Sequence, residues 1–179
     1  MLFRSSRSYG RVVSGRMQQP IPSWRPYERE AELLAALGVR RSRLPVIAYK
    51  NGPLHVYVEL ESEAEVAALR PDLTALAGLA EVGANCFAGS GKRWKTRMFA
   101  PAHGVAEDPA TGSAAGPLAL HLARHGRIAF GDEIEIRQGL EIQRPSLLRA
   151  RVMGSADRVE RIEVAGAAVI VARGEFYRY

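Results

Sequence analysis

The run Ala114-Ala115-Gly116-Pro117-Leu118-Ala119-Leu120-His121-Leu122-Ala123-Arg124-His125-Gly126 is apolar on nearly every side of a helix until its basic end. A helix without a polar face does not suit a surface, so this segment predicts a fold in which other elements enclose it. Arg124 and His125 suit the negative C-terminal end of the helix dipole, and Gly126 supplies the stop. Pro117 is best tolerated in a first turn, where its missing N–H costs nothing, so the helix is expected to begin at Ser113 or later. The N–H groups around Gly112 to Ala115 then remain free to bind an anion.

Strands are the expected enclosure. Residues 132–137, 140–143, 147–152, 159–164 and 167–172 read as short strands punctuated by Gly or Pro. Upstream, residues 46–49 and 54–60 flank Lys50-Asn51-Gly52-Pro53, whose Asn-Gly pair supports a tight hairpin. His55 falls in that hairpin and is expected to be a half-exposed strand residue. Residues 81–88 and 95–100 form two more strands with Gly89-Ser90-Gly91 as their turn. Short helices fill the gaps. Residues 27–37 end at Gly38, Ser62 to Glu65 is a capping box for a helix through Leu69, and Asp72 caps residues 73–79. The stretch from Gln18 to Pro26 carries three prolines and reads as an extended connector. These elements predict an α+β chain, a highly curved mixed sheet or barrel around a central helix at about 114–125.

Composition narrows the class. The chain has 179 residues, 47% of them hydrophobic, and no apolar run long enough to cross a bilayer as a helix. The single cysteine, Cys86, excludes an internal disulfide, and the scattered His55, His103, His121 and His125 offer no zinc set, so no metal is expected. A reducing, cytoplasmic setting is the default. The net charge of +6, from 25 Lys and Arg against 19 Asp and Glu, favours acidic partners. Lys92-Arg93-Trp94-Lys95 with Arg97 is the densest basic patch. It reads as a solvated loop, since no nucleic-acid-binding motif accompanies it. Met1 to Arg16 has the Arg- and Ser-rich composition of a transit peptide, but residues 9–17 read as strand, turn, strand.

The run from Arg97 to Ala114, RMFAPAHGVAEDPATGSA, joins an acid, a hydroxyl and a small-residue turn to the start of the apolar helix. Taken alone, Thr111 or Ser113 is explained by capping and Asp108-Pro109 by a turn. Taken whole, the run resembles the pattern R-x-F-x-P-x-x-G-x-x-E-D-P-A-T-G-S-A that lies beside the active site of the phenazine-biosynthesis F-type isomerases, relatives of diaminopimelate epimerase. Gln18-Gln19-Pro20, Arg70-Pro71-Asp72, residues 137–146 and Val164-Ala165-Gly166-Ala167 also look like family landmarks, in the family's order.

The resemblance implies a fold of two pseudo-symmetric halves, each wrapping mixed strands around a central helix, with the active site in the cleft between them. It implies residues 1–21 as remnant strands of a front half-domain and connector, and residues 22–179 as the C-terminal domain, whose last strand pairs with the remnant. It also implies cofactor-independent proton transfer on a small carboxylated substrate. Asp108 becomes the polar partner at the reacting centre, Gly112, Ser113 and Ala114 bind the substrate carboxylate, and Glu107 and Thr111 support them. Family members carry a catalytic glutamate and a Gly-His motif in the front half, and neither has a counterpart before Glu28. The base is therefore expected from a complementing front half-domain, or else the chain is a truncated product whose activity is gone. In the diaminopimelate epimerase branch a cysteine works from this region, whereas Cys86 lies outside the run and reads as a small core residue. Two other functions stand beside this one: a non-catalytic anion-binding or assembly module that dimerises through strands near Met1 or Tyr179, and nucleic-acid binding through the basic patch.

Overall fold

The computed structural model describes residues 3–8, 11–172, 174, 175 and 177. Among the described residues eleven strands form one mixed sheet: β1 (Phe3–Ser8), β2 (Arg11–Gln19), β3 (Ser23–Pro26), β4 (Ile47–Lys50), β5 (Leu54–Glu59), β6 (Val82–Ser90), β7 (Arg93–Ala100), β8 (Val105–Asp108), β9 (Glu133–Gln138), β10 (Ser146–Gly154) and β11 (Val159–Ala167). Their order is β1-β2-β11-β10-β9-β7-β6-β5-β4-β3, with β8 paired to β7 off that path. The helices are α1 (Glu30–Leu37), α2 (Glu63–Ala68), α3 (Leu73–Ala77) and α4 (Gly112–Arg124). The chain is thus α+β, with a large mixed sheet and few helices.

Two strand pairs are parallel, β5 with β6 and β7 with β9. Parallel neighbours need long crossovers, and the chain places its functional elements in them. The β5–β6 crossover carries α2 and α3. The β7–β9 crossover carries β8 and α4. Side chains alternate across the central strands and fill two apolar clusters. Val56, Val58, Ala84 and Cys86 pack with Leu33, Leu37, Val66 and Leu76 beneath the first three helices. Tyr57, Phe87, Trp94, Ile134 and Ile136 pack with α4, whose Leu118, Leu120 and Leu122 are almost wholly buried. Each of those leucines contributes roughly 1.5–3 kcal/mol of apolar burial.

Several local expectations meet the structure closely. The Asn-Gly turn joins antiparallel β4 and β5. Ser62 accepts from the Glu65 N–H, and Asp72 accepts from the N–H groups of Thr74 and Ala75.

Others are corrected. β2 is strand throughout residues 11–19, so no turn interrupts residues 11–17; residues 9 and 10 lie outside the described residues. Ser23–Pro26 of the connector is a strand on β4. Gly89 and Ser90 belong to β6, leaving the turn to Gly91 and Lys92. Residues 140–143 form a turn closed by Arg144 N–H donating to Gly139 O, and residues 168–172 are not strand. The basic patch is only half solvated: Lys92 and Arg93 are exposed, whereas Trp94, Lys95 and Arg97 are buried. Lys95 is neutralised by Glu141 at 2.5 Å. Among the described residues no helix is long and apolar enough to cross a membrane.

Helix α4 begins at Gly112, one residue earlier than expected, with Pro117 in its second turn. A proline there removes the donor that Ser113 O would otherwise meet. Side chains from elsewhere in the fold supply donors instead. Asn51 Nδ2 donates to Ser113 O at 3.0 Å, flanked by Gln19 Nε2 to Gly112 O at 2.8 Å and the Tyr57 hydroxyl to Ala114 O at 2.7 Å.

Candidate active site

The motif from Arg97 to Ala114 runs from β7 through a 3-10 turn (Pro101–His103) and β8 into α4. Arg97 anchors it. Its Nε and Nη2 grip both oxygens of Glu107 at 2.9 and 2.7 Å, and its Nη1 donates to the α2-side carbonyls of Ala67 and Leu69 at 3.2 and 2.8 Å. Glu107 is thereby committed to an ion pair with side chains 7% and 9% exposed, which fixes β8 against the sheet.

Asp108, next along β8, is held by two neighbours. The Thr111 hydroxyl donates to Asp108 Oδ2 at 2.6 Å. Gln138 Nε2 donates to Asp108 O at 2.7 Å and to Thr111 Oγ1 at 2.9 Å, while its Oε1 accepts from Thr111 N–H and the Thr96 hydroxyl. Thr111 sits at the cap position of α4 without making a side-chain cap, because its hydroxyl serves Asp108.

Ser113, in the first turn of α4, meets His55 of β5. His55 Nε2 lies 3.0 Å from Ser113 Oγ, and His55 Nδ1 lies 3.3 Å from Asn85 Nδ2 of β6. The expected half-exposed His55 is in fact 2% exposed, because β5 is a central strand covered on both faces. Burial pushes its imidazole down to about 4, helped by the charge of nearby His103 and opposed by Asp108.

Gly112, Ser113 and Ala114 form the start of α4, but not all three present free N–H groups. Ala114 N–H donates to Thr111 O at 3.1 Å. The N–H groups of Gly112 and Ser113 have no partner among the described residues. These donors sit at the positive end of the α4 dipole, where an anion is favoured.

Behind the site, a cavity of about 10 Å³ lies among Tyr57, Asn85, Thr96, Thr111 and Gln138. It is far too small for a ligand. A groove of about 920 Å³ lies elsewhere, between Leu37, Arg40, Leu60 and Arg70, and shares no residue with the motif.

His121 and Cys86 stay outside this chemistry. His121 is buried beneath Tyr57, its Nδ1 lies 3.1 Å from the Tyr49 hydroxyl, and burial pushes it down to about 3. Burial pushes the Cys86 thiol up to about 12, which suits a packing role. Arg124 does more than face the helix dipole: it donates to the Tyr49 hydroxyl and stacks 4.4 Å from the Trp24 ring. Among the described residues no three His, Cys, Asp or Glu side chains cluster as a metal site would need.

Sequence reasoning missed His55, Asn85, Asn51, Gln19 and Gln138. For Gln138 a signal existed. In the alternation of β9 it follows Ile134 and Ile136 on the inward face, so a polar residue there calls for buried partners.

The family model described as phenazine biosynthesis-like protein matches residues 3–174. The trans-2,3-dihydro-3-hydroxyanthranilate isomerase of Pseudomonas aeruginosa is 54% identical over 175 residues, covering 98% of this chain and 63% of that protein. The protein of the same name from Pseudomonas chlororaphis is 55% identical, covering 96% and 62%. The chain therefore spans less than two thirds of the length of these relatives. Among solved structures, a Bacillus anthracis phenazine biosynthesis protein of the PhzF family superposes with a TM-score of 0.73 at 20% identity, covering 93% of this chain and 62% of that one. A structure titled as a predicted epimerase from Pseudomonas aeruginosa gives 0.72 at 25% identity, covering 99% and 63%. With the motif, the sheet and the family match in agreement, the chain belongs to the phenazine biosynthesis-like family.

Proposed function

We propose that this chain forms the carboxylate-binding wall of a cofactor-independent isomerase that moves a proton between carbons of a small conjugated acid. The observation that carries the reading is that the start of α4, a few residues after Asp108, holds the Ser113 hydroxyl and the N–H groups of Gly112 and Ser113, which have no partner among the described residues. These groups would receive the carboxylate. A base then removes a C–H proton, the electron pair moves into the conjugated system toward the carboxylate, and the proton returns at another carbon. Asp108 is the polar group at the reacting centre, Thr111 orients it, and Glu107 serves structure through Arg97. Relatives named as trans-2,3-dihydro-3-hydroxyanthranilate isomerases make that compound, or one like it, the first substrate to test.

In this reading the chain is one diaminopimelate epimerase-like half, its strands wrapped around α4 as the central helix. The base opposite Asp108 belongs, in this reading, to the other half-domain of the family's fold. Among the described residues β1 ends the sheet order, and such an edge can accept a partner strand, whether from that half-domain or from a second copy.

The test is deuterium incorporation from D2O into trans-2,3-dihydro-3-hydroxyanthranilate, followed by NMR, with this chain alone and with a front half-domain of the Pseudomonas aeruginosa relative added. Exchange that drops at least roughly tenfold in Asp108→Ala and Ser113→Ala supports the reading. Binding without exchange in either condition leaves an anion-binding module and removes the isomerase. Exchange unaffected by both substitutions places the site elsewhere.

A further inference from the structure

The amide of Asn85 settles the protonation of its neighbour. Asn85 Nδ2 donates to Gly83 O at 2.8 Å, and turning the amide over would set two carbonyl oxygens against each other. The same nitrogen therefore presents its second hydrogen to His55 Nδ1, 3.3 Å away. A lone pair must face it there, so the proton of the neutral ring sits on Nε2, 3.0 Å from Ser113 Oγ. Ser113 Oγ then accepts, and its own hydrogen has to point elsewhere.

We propose that His55 is a positioning residue: by donating from Nε2 to Ser113 Oγ it turns the serine proton outward, beside the free N–H groups of Gly112 and Ser113, to meet an incoming carboxylate. Three donors are thereby pre-aimed at one place before a ligand arrives, which lowers the ordering cost of binding. The arrangement holds only while the ring is neutral. A protonated ring would carry hydrogen on Nδ1 against the Asn85 amide, and burial opposes that form. Asp108 and His103 are the charged or titratable groups that act on His55, and they act in opposite senses. The proposal rests on the carboxylate site argued above.

The first measurement needs no ligand. Long-range 1H–15N correlation on the histidine rings should show His55 as the Nε2–H tautomer throughout pH 5.5–8, with its Nε2 resonance moving in Ser113→Ala. A proton on Nδ1 overturns the proposal.

The second is calorimetric titration with anthranilate as the probe. Ser113→Ala and His55→Phe should each weaken binding about fivefold or more, and the double variant should be no weaker than Ser113→Ala alone. His55→Gln, whose amide can donate from a similar reach, should keep most of the affinity. If His55→Phe and Ser113→Ala weaken binding independently, His55 does not act through Ser113, and the carboxylate site stands without it. If wild type does not bind, or Ser113→Ala changes nothing, the carboxylate site itself falls and takes the proposal with it.

Discussion

Asn51 donates its side-chain amide to the Ser113 carbonyl at 3.0 Å, in place of the backbone N–H that Pro117 lacks. Asn51→Ala leaves that carbonyl without its donor at the start of a buried helix, and the expected cost is about 1–3 kcal/mol. Pro117→Ala restores an N–H four residues after Ser113, so Asn51→Ala should cost less than half as much in that background. Urea unfolding of the two single variants and the double variant checks it. Equal costs in both backgrounds would show that Asn51 stabilises the chain by another route.

Gly116 and Gly112 make opposite predictions, although both lie in the first five residues of α4. A Cβ on Gly116 would overlap Gln19 Oε1 and come within 2.6 Å of Ile162 Cγ2, whereas one on Gly112 meets nothing within 4 Å. Alanine normally favours a helix over glycine by close to 1 kcal/mol. Gly116→Ala is nevertheless expected to destabilise by about 1–3 kcal/mol through overpacking. Gly112→Ala should leave stability within about 0.5 kcal/mol of wild type. Denaturation midpoints that rank the two variants the other way would contradict the packing described for Gln19.

What could be read from the sequence was local. The Asn-Gly hairpin, the Ser62 and Asp72 caps and the apolar length of α4 each depend on residues a few positions apart, and each stands in the structure. His55 could not be placed that way. Its burial depends on β5 lying beside β6 in a parallel pair with layers on both faces, and its partner Ser113 is 58 residues away. Lys95 and Arg97 misled for a related reason. A run of cations reads as solvated unless Glu141 and Glu107 are known to face it. Asp108 and Ser113 were visible as motif positions, but Gln138 and Asn85, which hold their surroundings, come from strands that only the sheet order brings near.

The Arg97–Glu107 pair should behave as a structural joint. Arg97→Met strands a buried carboxylate and removes the donor from the Ala67 and Leu69 carbonyls, so a loss of about 3–5 kcal/mol is expected. Arg97→Lys should not rescue it, because an ammonium cannot grip both Glu107 oxygens and reach those carbonyls together. Adding Glu107→Leu to Arg97→Met should recover only part of the loss, since the carbonyls still lack their donor. Full recovery in chemical denaturation would mean that the ion pair alone accounts for the effect.

Acid stability supplies a test of the two buried imidazoles. Burial holds His55 at about 4 and His121 at about 3, below the ordinary value of 6.5. Below pH 6.5 the unfolded chain therefore takes up protons that the folded chain refuses, so stability falls as the pH drops toward 4. Each such group contributes a slope approaching about 1.4 kcal/mol per pH unit within that window. Carboxylates add their own acid sensitivity, so the informative quantity is the difference between variants. His121→Phe keeps a ring beneath Tyr57 but loses the contact of Nδ1 with the Tyr49 hydroxyl, and it should lower stability at pH 7 while flattening the slope between pH 6.5 and 4.5 by close to one proton. Urea unfolding at half-unit pH steps measures both effects. A slope unchanged by His121→Phe would mean that His121 titrates normally in the folded chain, which its burial on the inner face of α4 against Tyr57 does not allow.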